Sequence, residues 1–481
     1  MKLSRSLTAI AVSIVLTARY APAQDKVVNP KIQEMIGQVS EARIRAIIEK
    51  LESFGTRNTM SNPDDPAHGV GAARTWILNE LKSYSPKLEV RFEKFRVKKQ
   101  GQRIFKDVDL YNVIAVLPGK KMPETVVVVS AHYDSLNLGT RPAGAAAGPG
   151  SEAPAGAGAP GNTTANMTLA DFERNAELPA PGACDDGSGT AAVMELARVM
   201  SQYEFDKTVA FYVFAGEEQG LIGSALQAAK AKKESQTIEA VLNNDIIGTD
   251  ASGNGRTDNR SVSVYSDETM DSLSQQLSRY VREIGERYLP SMKINTVFMG
   301  DRLGRGGDHT PFQWEGFAAV RVSTPLENYA NQHRATDTLA NMSVPYTAKV
   351  AKVNLAAAAS LALGPKPPIV LPEPRAGAAP GGGRRPLPMI ARGGGYDAVL
   401  RWRAAGVEED IKGYAIVIRA TTSPYWEQEI YVGKVTTYAL KDVSIDDAKF
   451  GVKAIGNNGV ESLVTSYAYP PRQKVEIETV Q

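Results

Sequence analysis

Cysteine is almost absent from this sequence, and so are a strong net charge and long apolar runs. The single cysteine, Cys184, excludes any disulfide within the 481-residue chain, so stability must come from a hydrophobic core or from bound metal. A formal net charge of +2, without a basic tract, excludes the electrostatic surface that a nucleic-acid partner requires. No stretch reaches the roughly 18 consecutive apolar residues that a membrane-spanning helix needs.

The N-terminal residues have the layout of a secretory signal peptide. Lys2 and Arg5 precede an apolar run over residues 7–18, and Ala21-Pro22-Ala23 offers a cleavage site made of small residues. The sequence therefore predicts a signal peptide over residues 1–23. We expect the mature chain to be secreted or periplasmic after cleavage near Ala23 and Gln24.

Apolar runs alternate with helical periodicity over residues 24–364, which predicts one α/β domain. Continuous apolar strands between helices are typical of a sheet buried on both faces. We expect a mixed, largely parallel sheet with helices on both sides. The predicted strands are 126–129, 209–214, 240–247 and 318–322, with further strands in 88–117, and the predicted helices are 29–54, 69–84, 189–203, 220–233, 271–288 and 344–363.

Three further segments differ in composition from that domain. Residues 139–161 are nearly all Gly, Ala, Pro and Ser, which predicts a mobile low-complexity insertion, and residues 365–395 have a Pro/Gly-rich linker composition. Short alternating strands over 396–481 predict a separate all-β sandwich. With Trp402, Tyr414 and the turn at Gly459, this module resembles a fibronectin type III domain. We expect it to contact protein, a cell surface or polysaccharide, and to be dispensable for activity.

Polar residues follow the predicted strands. His132 and Asp134 lie at the end of the first strand, two residues apart, so the Asp134 carboxylate can reach the imidazole. A carboxylate that fixes a histidine tautomer is the usual neighbour of a metal ligand. A strand-end histidine paired with a nearby acid would look the same, and taken alone this motif favours that simpler interpretation.

Acidic pairs occur at two later points. Asp185 and Asp186 lie in a Gly-rich turn just before a helix, where one carboxylate would suffice to cap the helix. Glu217 and Glu218 follow an apolar strand and would repel each other without a cation nearby. Surplus carboxylates at buried strand ends therefore predict a cation-binding site.

Two more residues complete the candidate set. Asp245 interrupts the apolar run over 240–247, and buried aspartates are rare unless they are paired or metal-bound. His333 lies in a polar loop, where surface exposure is the simpler interpretation. Because strand ends converge on one crevice in such sheets, these side chains are expected to meet. Nitrogen and oxygen ligands without thiolate suit catalytic Zn²⁺, and Co²⁺ or Mn²⁺ could substitute.

The ordered motifs resemble metallopeptidase family 28, the di-zinc aminopeptidases, over roughly residues 29–363. The resemblance implies two Zn²⁺ per chain and a cis peptide bond between Asp185 and Asp186. It assigns the metal ligands as His132, Asp185, Glu218, Asp245 and His333, with Asp185 bridging, His132 and Asp245 on one ion, and Glu218 and His333 on the other. Glu217 is then the general base, and Asp134 orients His132.

Family members often place an oxyanion-stabilising tyrosine before the last ligand histidine, where this chain has Gln332. Gln332 or Tyr329 is expected to fill that role, and Asp308 and His309 are expected to support the pocket. The implied function is a co-catalytic zinc aminopeptidase that cleaves peptides with free N-termini through a metal-bridging water activated by Glu217. The alternatives are a glutaminyl cyclase with one zinc, a carboxypeptidase or dipeptidase of the same fold, and, last, a non-catalytic receptor-like protein.

Overall fold

The structure is a computed structural model. It describes residues 28–139, 167–300, 306–371, 391–392, 397–443 and 445–467. The predicted signal peptide, the insertion beyond Gly139 and most of the predicted linker lie outside the described residues. Within the described ranges, no helix is both long and apolar enough to cross a membrane.

An eight-stranded mixed sheet forms the centre of the larger domain. Its strands, in chain order, are β1 (Glu89–Val97), β2 (Val108–Leu117), β3 (Met122–His132), β4 (Lys207–Phe214), β5 (Thr237–Asn244), β6 (Ser261–Tyr265), β7 (Lys293–Val297) and β8 (Ala319–Ser323). Their order across the sheet is β1-β2-β4-β3-β5-β8-β6-β7. The four central strands β4, β3, β5 and β8 are mutually parallel, whereas β2 and β6 flank them antiparallel. The predicted largely parallel sheet is confirmed.

Helices cover both faces of this sheet, as predicted. Along β3, Val127 and Val129 face the larger core while Val128 faces a smaller core on the other side, as the two-residue repeat of a strand requires. The larger core is covered by α1 (Pro30–Gly37), α2 (Glu41–Glu52), α3 (Gly69–Tyr84), α5 (Ser188–Met200), α7 (Leu273–Tyr288) and α9 (Val344–Leu363). The smaller core is covered by α6 (Ile222–Lys233) and α8 (His309–Trp314), and the short helix α4 (Leu169–Asn175) precedes the Asp185 turn.

One predicted strand ends earlier than its apolar run. We expected a strand over 240–247, but β5 ends at Asn244. Ile246 has a φ of 56°, a left-handed conformation that an extended strand does not allow. Asp245 therefore lies in the turn after the strand, at the edge where the parallel strands end.

The C-terminal region is an all-β sandwich, as predicted. One sheet contains β9 (Ile369–Val370), β10 (Ala391–Arg392), β11 (Ala398–Arg403) and β14 (Thr437–Leu440), and the other contains β12 (Ile411–Ala420), β13 (Gln428–Gly433), β15 (Ala448–Gly456) and β16 (Thr465–Ser466). All the pairings are antiparallel. The two sheets share a core in which the rings of Trp402 and Tyr414 pack edge to face, 5.6 Å apart.

The sandwich packs closely against α7 and the larger core. Val460 and Leu463 are buried in the core of the larger domain, and Arg279 donates from Nε to the Pro424 carbonyl over 2.7 Å. Asp271 accepts from Arg419 at 2.7 Å across the same interface. The linker composition predicted a separate module, but buried apolar and charged contacts join it to the domain.

Candidate metal centre

The ends of neighbouring strands and the turns that follow them bring the predicted site residues together. His132 ends β3, Glu217 and Glu218 follow β4, and Asp245 follows β5. These side chains and those of Asp185 and His333 form two groups, each with ligand atoms within 4.8 Å of one another. The first group contains His132, Glu217 and Asp245, and the second contains Asp185, Glu218 and His333.

Asp185 lies between the two groups. Its Oδ1 is 3.3 Å from Nε2 of His132, and its Oδ2 is 3.2 Å from Nε2 of His333. Asp245 Oδ1 is 3.7 Å from the same nitrogen of His132, and Glu218 Oε2 is 3.1 Å from that of His333. One carboxylate thus presents one oxygen to each imidazole, which is the arrangement that a bridging ligand needs.

The chemistry of these residues fits bound zinc. The donors are imidazole nitrogens and carboxylate oxygens, with no thiolate, a set that suits catalytic zinc. Glu218 is 4% exposed, and its Oε1 is buried without a hydrogen-bond partner, which is costly for a carboxylate unless a cation is bound. Burial, reinforced by the neighbouring carboxylates of Glu218 and Asp245 against the opposing effect of His132, raises the pKa of Glu217 well above its ordinary value.

Asp134 contacts both His132 and the pair formed by Glu217 and Glu218. The Nδ1 of His132 is 3.1 Å from the backbone carbonyl of Asp134 and 3.5 Å from its carboxylate. The carboxylate itself accepts the backbone N–H groups of Glu217 at 3.3 Å and Glu218 at 3.2 Å. The predicted contact with His132 is therefore present, and the carboxylate also fixes the backbone of the acidic pair.

Asp186 faces away from the two groups and binds backbone. Its carboxylate accepts the N–H of Gly189 at 2.9 Å in the first turn of α5, as expected for a capping carboxylate. It also accepts the N–H groups of His132 at 3.3 Å and Ile246 at 3.2 Å. The peptide bond between Asp185 and Asp186 is cis, as the resemblance implied.

Comparison with known proteins agrees with this geometry. The model of peptidase family M28 matches residues 112–358. A probable zinc metalloprotease of Pyricularia oryzae is 36% identical over 470 residues, which cover 90% of this chain and 84% of the relative. A probable zinc metalloprotease of Leptosphaeria maculans is 31% identical, with coverage of 92% and 97%. The chain belongs to peptidase family M28.

The M28 fold is also seen in a solved structure. The LapA aminopeptidase of Legionella pneumophila matches with a TM-score of 0.50 at 19% identity, over 72% of this chain and 78% of that chain. At this identity the likeness shows the fold alone. The family is one of zinc metallopeptidases, so a zinc-dependent peptidase chemistry follows from membership.

Three charged residues support the M28 site and were not among the predicted site residues. Asp337 accepts the backbone N–H groups of Cys184 and Asp185, both at 3.0 Å, and burial raises its pKa to about 7. Arg57 is fully buried and donates to the Gly182 carbonyl at 2.9 Å. Arg321 lies beside Asp245, with Nε 3.1 Å from Oδ2. For Arg321, the sequence did offer a signal, which was a charged residue within an apolar strand.

Cys184 and Gln332 help to line a cleft beside Asp185. Cys184 is partly exposed there. Gln332 donates from Nε2 to Asp185 Oδ2 over 3.1 Å. Asp308 and His309 are completely buried at the start of α8, in keeping with a supporting role.

Proposed function

We propose that this M28 peptidase is a co-catalytic aminopeptidase that holds two zinc ions and removes N-terminal residues from peptides. The observation that carries the proposal is Asp185, whose two oxygens lie 3.3 Å and 3.2 Å from the imidazoles of the two groups. A shared carboxylate between two nitrogen–oxygen groups suits a pair of ions better than a single ion. His132 and Asp245 would hold one ion, and Glu218 and His333 the other.

Bound zinc would polarise the scissile carbonyl and lower the pKa of a water molecule. Glu217 is the residue proposed to take the proton from that water and deliver it to the leaving amine. It is more exposed than Glu218, and its carboxylate lies within reach of His132 and Asp245. Burial raises its pKa, which favours holding a transferred proton. Asp134 would keep Glu217 in place through its backbone N–H.

The direction of attack follows from charge. An α-ammonium group is attracted to a cleft rich in carboxylates, which include Asp185, Glu327 and Asp337. Leucine amides and peptides with free N-termini should therefore be cleaved, and their acetylated forms should not. Equal rates on free and acetylated peptides would contradict the aminopeptidase and favour the carboxypeptidase alternative.

The number of ions separates the peptidase from the cyclase alternative. Metal analysis of the active protein should give two zinc ions per chain, and chelators should abolish activity. A fully active preparation with one ion that cyclises N-terminal glutamine would instead support a glutaminyl cyclase.

We propose further that the chain is exported and that the sandwich is related to fibronectin type III domains. Residues 1–23 support export through their composition, and the packing of Trp402 on Tyr414 in an antiparallel sandwich suits the second assignment. N-terminal sequencing of the mature protein tests the first. A chain that keeps residues 1–23 when isolated from its host would argue against export.

A further inference from the structure

Arg321 is a buried cation within an apolar strand. Its side chain is 1% exposed in β8, and the flanking Val320 and Val322 are fully buried. Register places Arg321 opposite Asn243 of β5 on one side and Tyr265 of β6 on the other, so both neighbouring strands fix its backbone. A charged residue at such a position requires a specific partner, because desolvation without one is prohibitively costly.

That partner is Asp245 of the first group. Arg321 Nε is 3.1 Å from Oδ2 of Asp245, which leaves Oδ1 directed towards His132 at 3.7 Å. Backbone bonds hold the pair in register, since Asp245 donates its N–H to the Val322 carbonyl over 3.1 Å. A Cβ at Gly307 would lie 3.3 Å from Arg321 Cδ and 3.4 Å from Asp245 Oδ2, so backbone also packs closely over the pair.

In the part of the chain that the structure describes, the second group has no equivalent cation. Within the described residues, no lysine or arginine forms an ion pair with the carboxylates of Asp185 or Glu218. Arg103 is close to Glu218 but donates to its backbone carbonyl, over 2.6 Å. The polar side chain on Asp185 outside the two groups is the neutral amide of Gln332, at 3.1 Å. The two groups therefore differ in how their carboxylates are oriented.

We propose that Arg321 is a positioning residue for the metal site formed by His132 and Asp245, and that it controls the occupancy of that site alone. By occupying Oδ2, the guanidinium leaves Asp245 one oxygen for an ion and fixes the direction of that oxygen. The proposal rests on the two-ion function above. It goes beyond that function because it assigns a role to a residue outside both groups. It also implies that the affinity of one metal site can be changed without changing the affinity of the other.

The experiment is a titration of the metal-free full-length protein with Zn²⁺. Binding is measured by calorimetry or by competition with a chromophoric chelator. Loss of a residue that contacts and orients a metal ligand typically weakens metal affinity by about 10–100-fold. In R321M, one of the two binding steps should weaken by about that factor, and the other should keep its wild-type affinity. R321K retains the cation without the planar fork, so its weaker step should lie between those of R321M and wild type.

The matched control is R103M, which removes an arginine beside the second group that contacts only backbone. It should leave both affinities within about twofold of wild type, since Arg103 contacts the Glu218 backbone carbonyl and not a ligand oxygen. If R321M does not fold, R321K still decides, because a wild-type affinity profile for that variant would overturn the proposal. Equal weakening of both steps in R321M, or tightening of either, would also overturn it.

The wild-type titration in the same series separates this proposal from the two-ion function. A single binding step in wild type would contradict the two-ion function. The positioning role proposed for Arg321 would then be decided by whether R321M weakens that one binding step.

Discussion

Two buried charge clusters in this molecule differ in how their charges are compensated. The cluster between α7 and the sandwich joins four carboxylates to five cations of the chain: Asp271, Glu283, Glu429 and Glu461 with Arg279, Arg287, Arg419, Lys449 and Lys453. At the strand ends, six carboxyl groups lie close together, and their ion-pair partners among the described residues are two histidines and one arginine: Asp134, Asp185, Asp186, Glu217, Glu218 and Asp245 with His132, His333 and Arg321.

The pKa directions show the same contrast. Burial alone would lower the pKa of Lys453, but the carboxylates of Glu283, Glu461 and Glu429 raise it above its ordinary value. Burial raises the pKa of Glu217 well above its ordinary value, and its acidic neighbours add to this rise while His132 opposes it. A balanced cluster is stable with its own side chains, whereas a cluster with surplus carboxylates requires a cation from outside. Buried charge marks a binding site only when it is unbalanced.

The largest loss of stability should follow removal of the C-terminal sandwich, which supplies one side of the balanced cluster. A chain that ends at Gly364 would leave Asp271 and Glu283 without sandwich partners and expose the core that Val460 and Leu463 cover. We therefore expect loss of the stable fold, contrary to the expectation that the module is dispensable. Soluble yield and thermal unfolding measure this. A chain that ends at Tyr467 keeps every described contact and should behave like the full chain.

In the unbalanced cluster, the two adjacent glutamates should separate chemistry from metal affinity. Glu217→Gln should lower kcat by about 10²–10⁴ while two metals remain bound, because a general base is lost without loss of a ligand. Glu218→Gln should weaken one metal site, and excess zinc should partly restore activity. Metal analysis beside steady-state kinetics tests both. Loss of an ion from the Glu217 variant and retention of both in the Glu218 variant would reverse the assignment.

Within the balanced cluster, removing one cation should be costly. Lys453→Met leaves three carboxylates without their shared partner, and breaking a buried ion pair in this way costs about 3–5 kcal/mol of unfolding free energy. Lys449→Met on the same strand is the control, since Lys449 is 4.0 Å from Asp271 and that carboxylate keeps two arginines. Urea unfolding should show a change within about 1 kcal/mol there. Equal losses of unfolding free energy in the Lys453 and Lys449 variants would contradict the central role of Lys453 in the balanced cluster.

Metal removal should act on the unbalanced cluster alone. Its effect on the unfolding free energy should be the smallest of these predicted effects. Free zinc at about 100 times its dissociation constant stabilises the folded state by about 2.7 kcal/mol. Chelation should therefore lower the unfolding free energy, and added zinc should restore it. The effect should be of the same size in wild type and in the Lys453 variant, because the two clusters share no side chain. A chelator-insensitive melting curve would show that the site binds no ion.

The sequence was sufficient to predict the α/β sheet and the candidate site because both depend on local patterns. Apolar runs predict strands, and His132, Glu217 and Asp245 follow those runs closely enough that parallel strand ends bring them together. The five-residue strands β6 and β7 were missed. They are short and flank the sheet, so their apolar signal is weak.

What the sequence did not predict depends on contacts between distant residues. Asp337 reaches the Asp185 turn across 152 residues, and Arg57 reaches Gly182 across 125 residues. The interface with the sandwich was missed for the same reason, since linker composition carries no information on what the linked module touches. Spacing predicts candidate ligands that follow their strands, but the residues that contact and hold them come from distant parts of the chain.

The Asp186 carboxylate has a consequence for how this site would bind metal. It holds the N–H groups of His132, Gly189 and Ile246, which belong to three separate segments that carry or adjoin candidate ligands. All of these bonds lie within the chain, so the three segments are in place before any ion arrives. We therefore expect zinc to bind without rearrangement of these three backbone segments.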